Sequence, residues 1–152
     1  MKDSHVAKEA AAAALHIDKI INTGKVRTNG GRNDTAQSDD GCLDVTLNPS
    51  GIPGKGTNPE QLFAAGWAAN FMAAINVYAL KQEIVIPRHV SVDAEVALAG
   101  LNKNTHLQAR LYVNLPGLSF EDANAIVIGA NELCPYSKIT QNNIDMEINV
   151  VI

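Results

Sequence analysis

The chain has 152 residues, 46% of them hydrophobic and 18% charged, with a net charge of −4 and a pI near 5.5. That length suits one folded domain with its own core. The mild acidity, spread without like-charge runs, excludes a basic face for nucleic acid or anionic lipid.

Aromatic residues make up only 5%, so the core must rest on Val, Ile, Leu and Ala. The opening MKDSHVAKEAAAAALHI has an apolar run of about six residues, behind Lys8 and Glu9. A secretory leader needs roughly 7–15 apolar residues after a basic start, so a short Ala-rich helix is expected instead. No stretch is expected to reach the roughly 20 residues that cross a bilayer. These readings point to a cytoplasmic protein with no membrane partner.

From residue 16 the pattern turns to β. HIDKIINTGKVRT (16–28) is β-rich, and NGGRNDTAQSDDG (29–41) reads as a polar, glycine-rich connection. It is no phosphate cradle, because no GKS/T follows and no helix opens directly after it. CLDVTL (42–47) places Leu43, Val45 and Leu47 on one face, and NPSGIPGKGTN (48–58) reads as an irregular lead into a helix. That helix opens at Asn58, with Pro59 at its first position and Gln61 three residues on, and extends for about 24 residues before Pro87. HVSVDAEVALA (89–99) and THLQARLYVNL (105–115) alternate with period two and are joined by GLNKN, a hairpin turn. A second helix opens at Ser119, with Asp122 three residues on. It carries Ala123, Ile126, Val127, Ala130 and Leu133 at helical spacing and stops at Cys134-Pro135. IDMEINVVI (144–152) alternates as a closing strand. The order implies one α+β domain over residues 1–152, with antiparallel sheets covered on one side.

Cys42 and Cys134 are far apart, and His5, His16, His89 and His106 are scattered. Neither set has the spacing of a metal site, so no metal and no cofactor are expected. Cys42 reads as a small buried strand residue. The amide of Asn70, amid small apolar residues in NPEQLFAAGWAANFMAAINVYAL, is the anomaly. A buried amide must satisfy its hydrogen-bonding sites or cost about 1–3 kcal/mol.

Four stretches carry more together than singly: TNGGRND, SDDGCLDVTL, GTNPEQLFAAGWAANFMAA and CPYSKITQNNIDMEINV. From about residue 22 onward the chain resembles the organic hydroperoxide resistance family, within the osmotically inducible proteins. Residues 1–15 form an extension outside the match. The resemblance implies an intertwined homodimer, with antiparallel sheets packed around long central helices. It also implies a thiol peroxidase of the oxidative stress response, reducing organic hydroperoxides at the expense of a lipoylated protein or small dithiol. Carried over by motif, Arg32 and Glu60 are the polar pair of the site and Cys134 is the resolving cysteine. The attacking cysteine falls at Asn70.

An amide cannot attack the peroxide O–O bond or become a sulfenic acid. In the family's chemistry a mid-helix thiolate gains little from the helix dipole, so Arg32, fixed by Glu60, would have to hold it. Asn70 is expected to complete a polar network with these two. Cys134, at a helix C-terminus where the dipole disfavours an anion, is a poor substitute nucleophile. Two functions follow from the resemblance. One is hydroperoxide reduction with an altered position 70, and the other is a silent homologue that binds a small hydrophobic or acyl ligand.

Overall fold

A computed structural model describes residues 17–152, except Ser50 and Asn102. The extension, with His5 and His16, therefore lies outside the described residues. Strands β1 (Val26–Asn29), β2 (Thr35–Ser38) and β3 (Asp44–Thr46) form one antiparallel sheet. Helix α1 (Pro59–Lys81) follows, then β4 (Ser91–Leu101) and β5 (Asn104–Asn114), helix α2 (Phe120–Leu133), the short helix α3 (Pro135–Thr140) and β6 (Asp145–Val151). The second sheet has the order β4-β5-β6. It corrects the all-antiparallel expectation, because β6 runs parallel to β5. The crossover through α2 and α3 returns the chain to enter β6 in the direction of β5, which a hairpin cannot do.

The helix boundaries follow from capping chemistry. Asn58 adopts extended backbone and its side chain accepts the Gln61 amide N–H at 2.7 Å, with Pro59 behind it. Gln61 does not complete a capping box; its Oε1 accepts instead from the Thr57 hydroxyl at 2.7 Å. Ser119 caps α2 by accepting the Asp122 N–H. At the far end of α1, Ile84 N–H reaches Ala79 O at 2.9 Å and Glu83 N–H reaches Leu80 O at 3.2 Å. Those two bonds make a Schellman motif, and they force Glu83 to φ 57°, where glycine is the ordinary occupant.

One stripe of α1 carries Trp67, Phe71, Ala74 and Ile75 into the core. There they meet Ala109, Leu111, Val113 and Leu115 of the β5 stretch and Ala123, Ile126, Val127 and Ala130 of α2, all buried. Truncating a fully buried aromatic such as Phe71 would cost about 3–5 kcal/mol. The opposite stripe of α1, with Ala65, Ala69, Ala73, Val77 and Leu80, is exposed. By length and composition α1 is apolar enough to cross a bilayer, which corrects the reading that no stretch reaches that size. The outer face of the second sheet is polar, with Arg110 paired to Asp145 at 3.0 Å and Glu147 at 3.3 Å.

Three expectations fail locally. The stretch 17–25 forms no strand, and Ile17, Ile20 and Ile21 are 74%, 73% and 94% exposed; without a neighbouring strand, β-rich composition has nothing to pair with. The connection 29–41 hides β2 and a single 3-10 turn at Gly31–Asn33. Helix α3 is only six residues, too short to show a period, although Pro135 at its first position is a start signal. Replacing Glu83 with glycine relieves a left-handed backbone and removes a carboxylate from the negative end of α1. Glu83→Gly is expected to raise stability by about 1 kcal/mol, read as a higher urea midpoint at unchanged slope.

Candidate functional site

Arg32 reaches its position because β1 and β2 close through a turn that carries it at the tip. Glu60 reaches its position because the connection from β3 folds back on itself. Leu47 bridges Thr57, Asn48 N–H donates to Thr57 O at 2.7 Å, and the Asn48 side chain donates to Gly56 O at 3.1 Å. This clip delivers Asn58 and Glu60 to the start of α1. Leu47 N–H also donates to Asp34 O at 2.6 Å, tying that start to the Arg32 turn.

The two side chains meet as a fork. Arg32 Nη2 lies 2.9 Å from Glu60 Oε1, and Nη1 lies 3.3 Å from Oε2. The Arg32 hydrogen bonds hold the Glu60 carboxyl below its ordinary range, against the opposing effect of burial. Glu60 also sits in the first turn of α1, where the helix dipole favours an anion. This pair is as the sequence placed it.

Asn70 is elsewhere. It lies ten positions beyond Glu60 on one continuous helix, about 15 Å along the axis. Its Nδ2 donates to Gly66 O at 3.0 Å, one turn back on its own helix. The expected network of Asn70 with Arg32 and Glu60 therefore does not form within the chain, because helical rise separates them. Asn70 instead lines a cleft of about 250 Å³ with Ala73, Ala74, Val77, Leu133 and Pro135. Leu133 and Pro135 flank Cys134, so the Cys134 segment borders the cleft of position 70.

Cys134 is fully buried and is both the last cap of α2 and the first of α3. The segment after it is fastened to α1 by aromatic groups. Trp67 Nε1 donates to Ser137 Oγ at 3.3 Å in the buried interior. Phe63 packs edge-on against both Trp67 and Tyr136, with ring centroids 5.7 and 5.4 Å away. The Tyr136 hydroxyl lies 2.8 Å from where a Cβ on Gly66 would sit, so a larger residue there would displace the Tyr136 side chain. Sequence reading missed the parts of Tyr136 and Ser137; their signal was position, directly after the proline that starts α3.

Cys42 is corrected as well. It is exposed, in the turn between β2 and β3, where its N–H donates to the Asp40 carboxylate at 2.9 Å. The Ser38 hydroxyl and that amide hold the Asp40 carboxyl below its usual range. Cys42 thus lies at the opposite end of β2 from Arg32 and does not join the site.

Known proteins share this fold. A family model described as OsmC-like protein matches residues 52–149. The organic hydroperoxide resistance protein of Xanthomonas axonopodis pv. citri is 34% identical over 137 residues, covering 88% of this chain and 96% of that one. The chain belongs to the organic hydroperoxide resistance family of OsmC-like proteins. The crystal structure of a Legionella pneumophila member superposes with a TM-score of 0.81 at 38% identity, covering 88% of this chain and all of that one. A Vibrio cholerae member with captopril bound in one of its active sites gives 0.80 at 31% identity, over 88% of this chain and 94% of that one.

The ion pair of this family member makes a pH prediction. Because the folded Glu60 pKa is depressed, the pair contributes stability above the ordinary glutamate value of about 4.3. That contribution is lost as pH falls through the lowered folded value. It is modest, since Arg32 is 39% exposed and water screens it. In Arg32→Met the Glu60 carboxyl is expected to titrate at a higher pH than in the unaltered protein, followed by carboxyl NMR. Equal titration midpoints would show that the fork does not control Glu60.

Proposed function

We propose that this chain serves in defence against organic hydroperoxides through a pocket shared between two copies, and that as it stands it holds such ligands without thiol-based turnover. The observation that carries this reading is the chemistry of position 70. The Asn70 amide is committed to Gly66 O, Cys134 is buried, and Cys42 is held in a turn away from Arg32. The guanidinium–carboxylate pair that would steady a thiolate is in place, but no thiol stands beside it.

The pocket needs a second copy. Arg32 and Glu60 sit at one end of α1 and Asn70 near its middle, so one helix cannot bring them together. A partner helix packed on the exposed stripe of Ala65, Ala69 and Ala73 would bring its own Arg32 and Glu60 to this cleft. Small residues allow such close approach. The captopril held by the Vibrio cholerae homologue supports the family pocket as a small-molecule site.

A thiol at position 70 would restore a balanced reaction. Its thiolate would attack one peroxide oxygen, forming an S–O bond and breaking O–O, and the departing alkoxide would take a proton to leave as the alcohol. The Cys134 thiol would then displace water from the sulfenic acid to give a disulfide. A dithiol of the lipoyl class would reduce that disulfide by exchange.

With cumene hydroperoxide and dihydrolipoamide, the unaltered protein is expected to show no consumption above background, and Asn70→Cys is expected to turn over. Turnover by the unaltered protein that disappears in Cys134→Ser would refute the silent reading. For the assembly, sedimentation is expected to give a dimer for the unaltered protein and a monomer for Ala69→Glu, since the new carboxylate cannot be buried unpaired between two helices.

A further inference from the structure

We infer that Asn29 is a site of spontaneous chemical modification, at which the amide is converted to aspartate or isoaspartate beside Arg32. The inference stands on the β1–β2 turn and is independent of the proposed function. TNGGRND contains the chain's single Asn-Gly pair, Asn29-Gly30. Asn29 ends β1, paired with Thr35, and both Asn29 and Gly30 are exposed.

The turn itself requires the glycine. Gly30 has φ 62° and ψ 12°, a left-handed conformation. A Cβ on it would lie 2.8 Å from Asp34 Cβ and 2.9 Å from Asp34 Oδ2. Gly31 follows, also at positive φ. A turn that must bend through two glycines to deliver Arg32 is thereby obliged to follow Asn29 with the residue that least obstructs ring closure.

The reaction balances without any oxidant or reductant. The Gly30 backbone nitrogen attacks the Asn29 side-chain carbonyl carbon, a C–N bond forms, and the bond to the side-chain nitrogen breaks. Ammonia leaves, taking up the proton from the Gly30 amide, and a five-membered succinimide remains. Water then adds to one of the two ring carbonyls. Opening one way gives aspartate; opening the other gives isoaspartate, in which the main chain runs through the side chain and is one carbon longer.

Either product places a carboxylate three positions before Arg32, on the same turn. It would compete with Glu60 for the guanidinium, and isoaspartate would also disturb the Asn29–Thr35 pairing. The modification thus adds a negative charge, slowly, on the turn that carries Arg32, with Glu60 as its reporter. That carboxyl is held low by Arg32, so any loss of the guanidinium raises it.

The test is incubation of the folded protein in mild alkali, followed by intact mass and peptide mapping. The expected result is a mass gain equal to exchange of NH for O, located at position 29, with an isoaspartyl fraction. Its rate should exceed that of every other asparagine in the chain, as glycine's freedom allows. Asn29→Ser is expected to abolish it. The inference is overturned if Asn29 reacts no faster than the other asparagines, or if the folded protein is stable while a TNGGRND peptide reacts under the same conditions. Asn29→Asp reads the consequence separately: its Glu60 carboxyl should titrate at a higher pH than in the unaltered protein, and an unchanged midpoint would overturn the coupling to Arg32.

Discussion

Helix α1 fixes the spacing on which the site depends. A rigid helix advances about 1.5 Å and turns about 100° per residue, so Glu60 in its first turn and Asn70 near its middle cannot face a common point. Nor can the helix rotate to compensate. Trp67, Phe71 and Ile75 are fully buried on one stripe, and turning them outward would expose most of the aromatic content of the core. The stripe left outside is small and apolar. The same burial that orients α1 therefore places the polar pair at one end, the cleft at the middle, and an exposed stripe of small apolar residues on the opposite face.

The elements that report their own periodicity were legible in the sequence. Alternation over β4 and β5 marked a hairpin, and the caps at Asn58 and Ser119 marked helix starts that the hydrogen bonds reproduce. What was not legible depends on partners or on length. Residues 17–25 have strand composition without a strand neighbour. Thr35–Ser38 is only four residues, shorter than a period-two signal can establish. The direction of β6 is set by a crossover, and side-chain alternation is the same in parallel and antiparallel strands.

For the site, motif resemblance placed Arg32 and Glu60 together, and their fork bears this out as geometry. For Asn70 the helical rise along α1 keeps it from the pair of its own chain, and its amide turns back to Gly66 O instead. For Cys42 it was the local strand pattern that misled. A strand cysteine is usually buried, but here Asp40 caps a tight turn just before β3, so the cysteine falls outside the ladder. Tyr136 and Ser137 stand in a segment too short to show a period. Only their contacts with Gly66 and Trp67 reveal that they hold the Cys134 segment against α1.

These contacts also explain how an amide can occupy position 70 at little structural cost. A side-chain donor at a mid-helix position can bond the carbonyl four residues earlier, and Asn70 does so through Nδ2. Gly66 leaves room at that carbonyl's turn for the Tyr136 hydroxyl, so the packing that holds Cys134 does not depend on which donor stands at 70. Fold and chemistry therefore respond differently to this residue. The helix needs a modest polar group that can turn back on its own backbone, and asparagine meets that need. Attack on a peroxide bond needs a polarisable, ionisable atom, and asparagine has none.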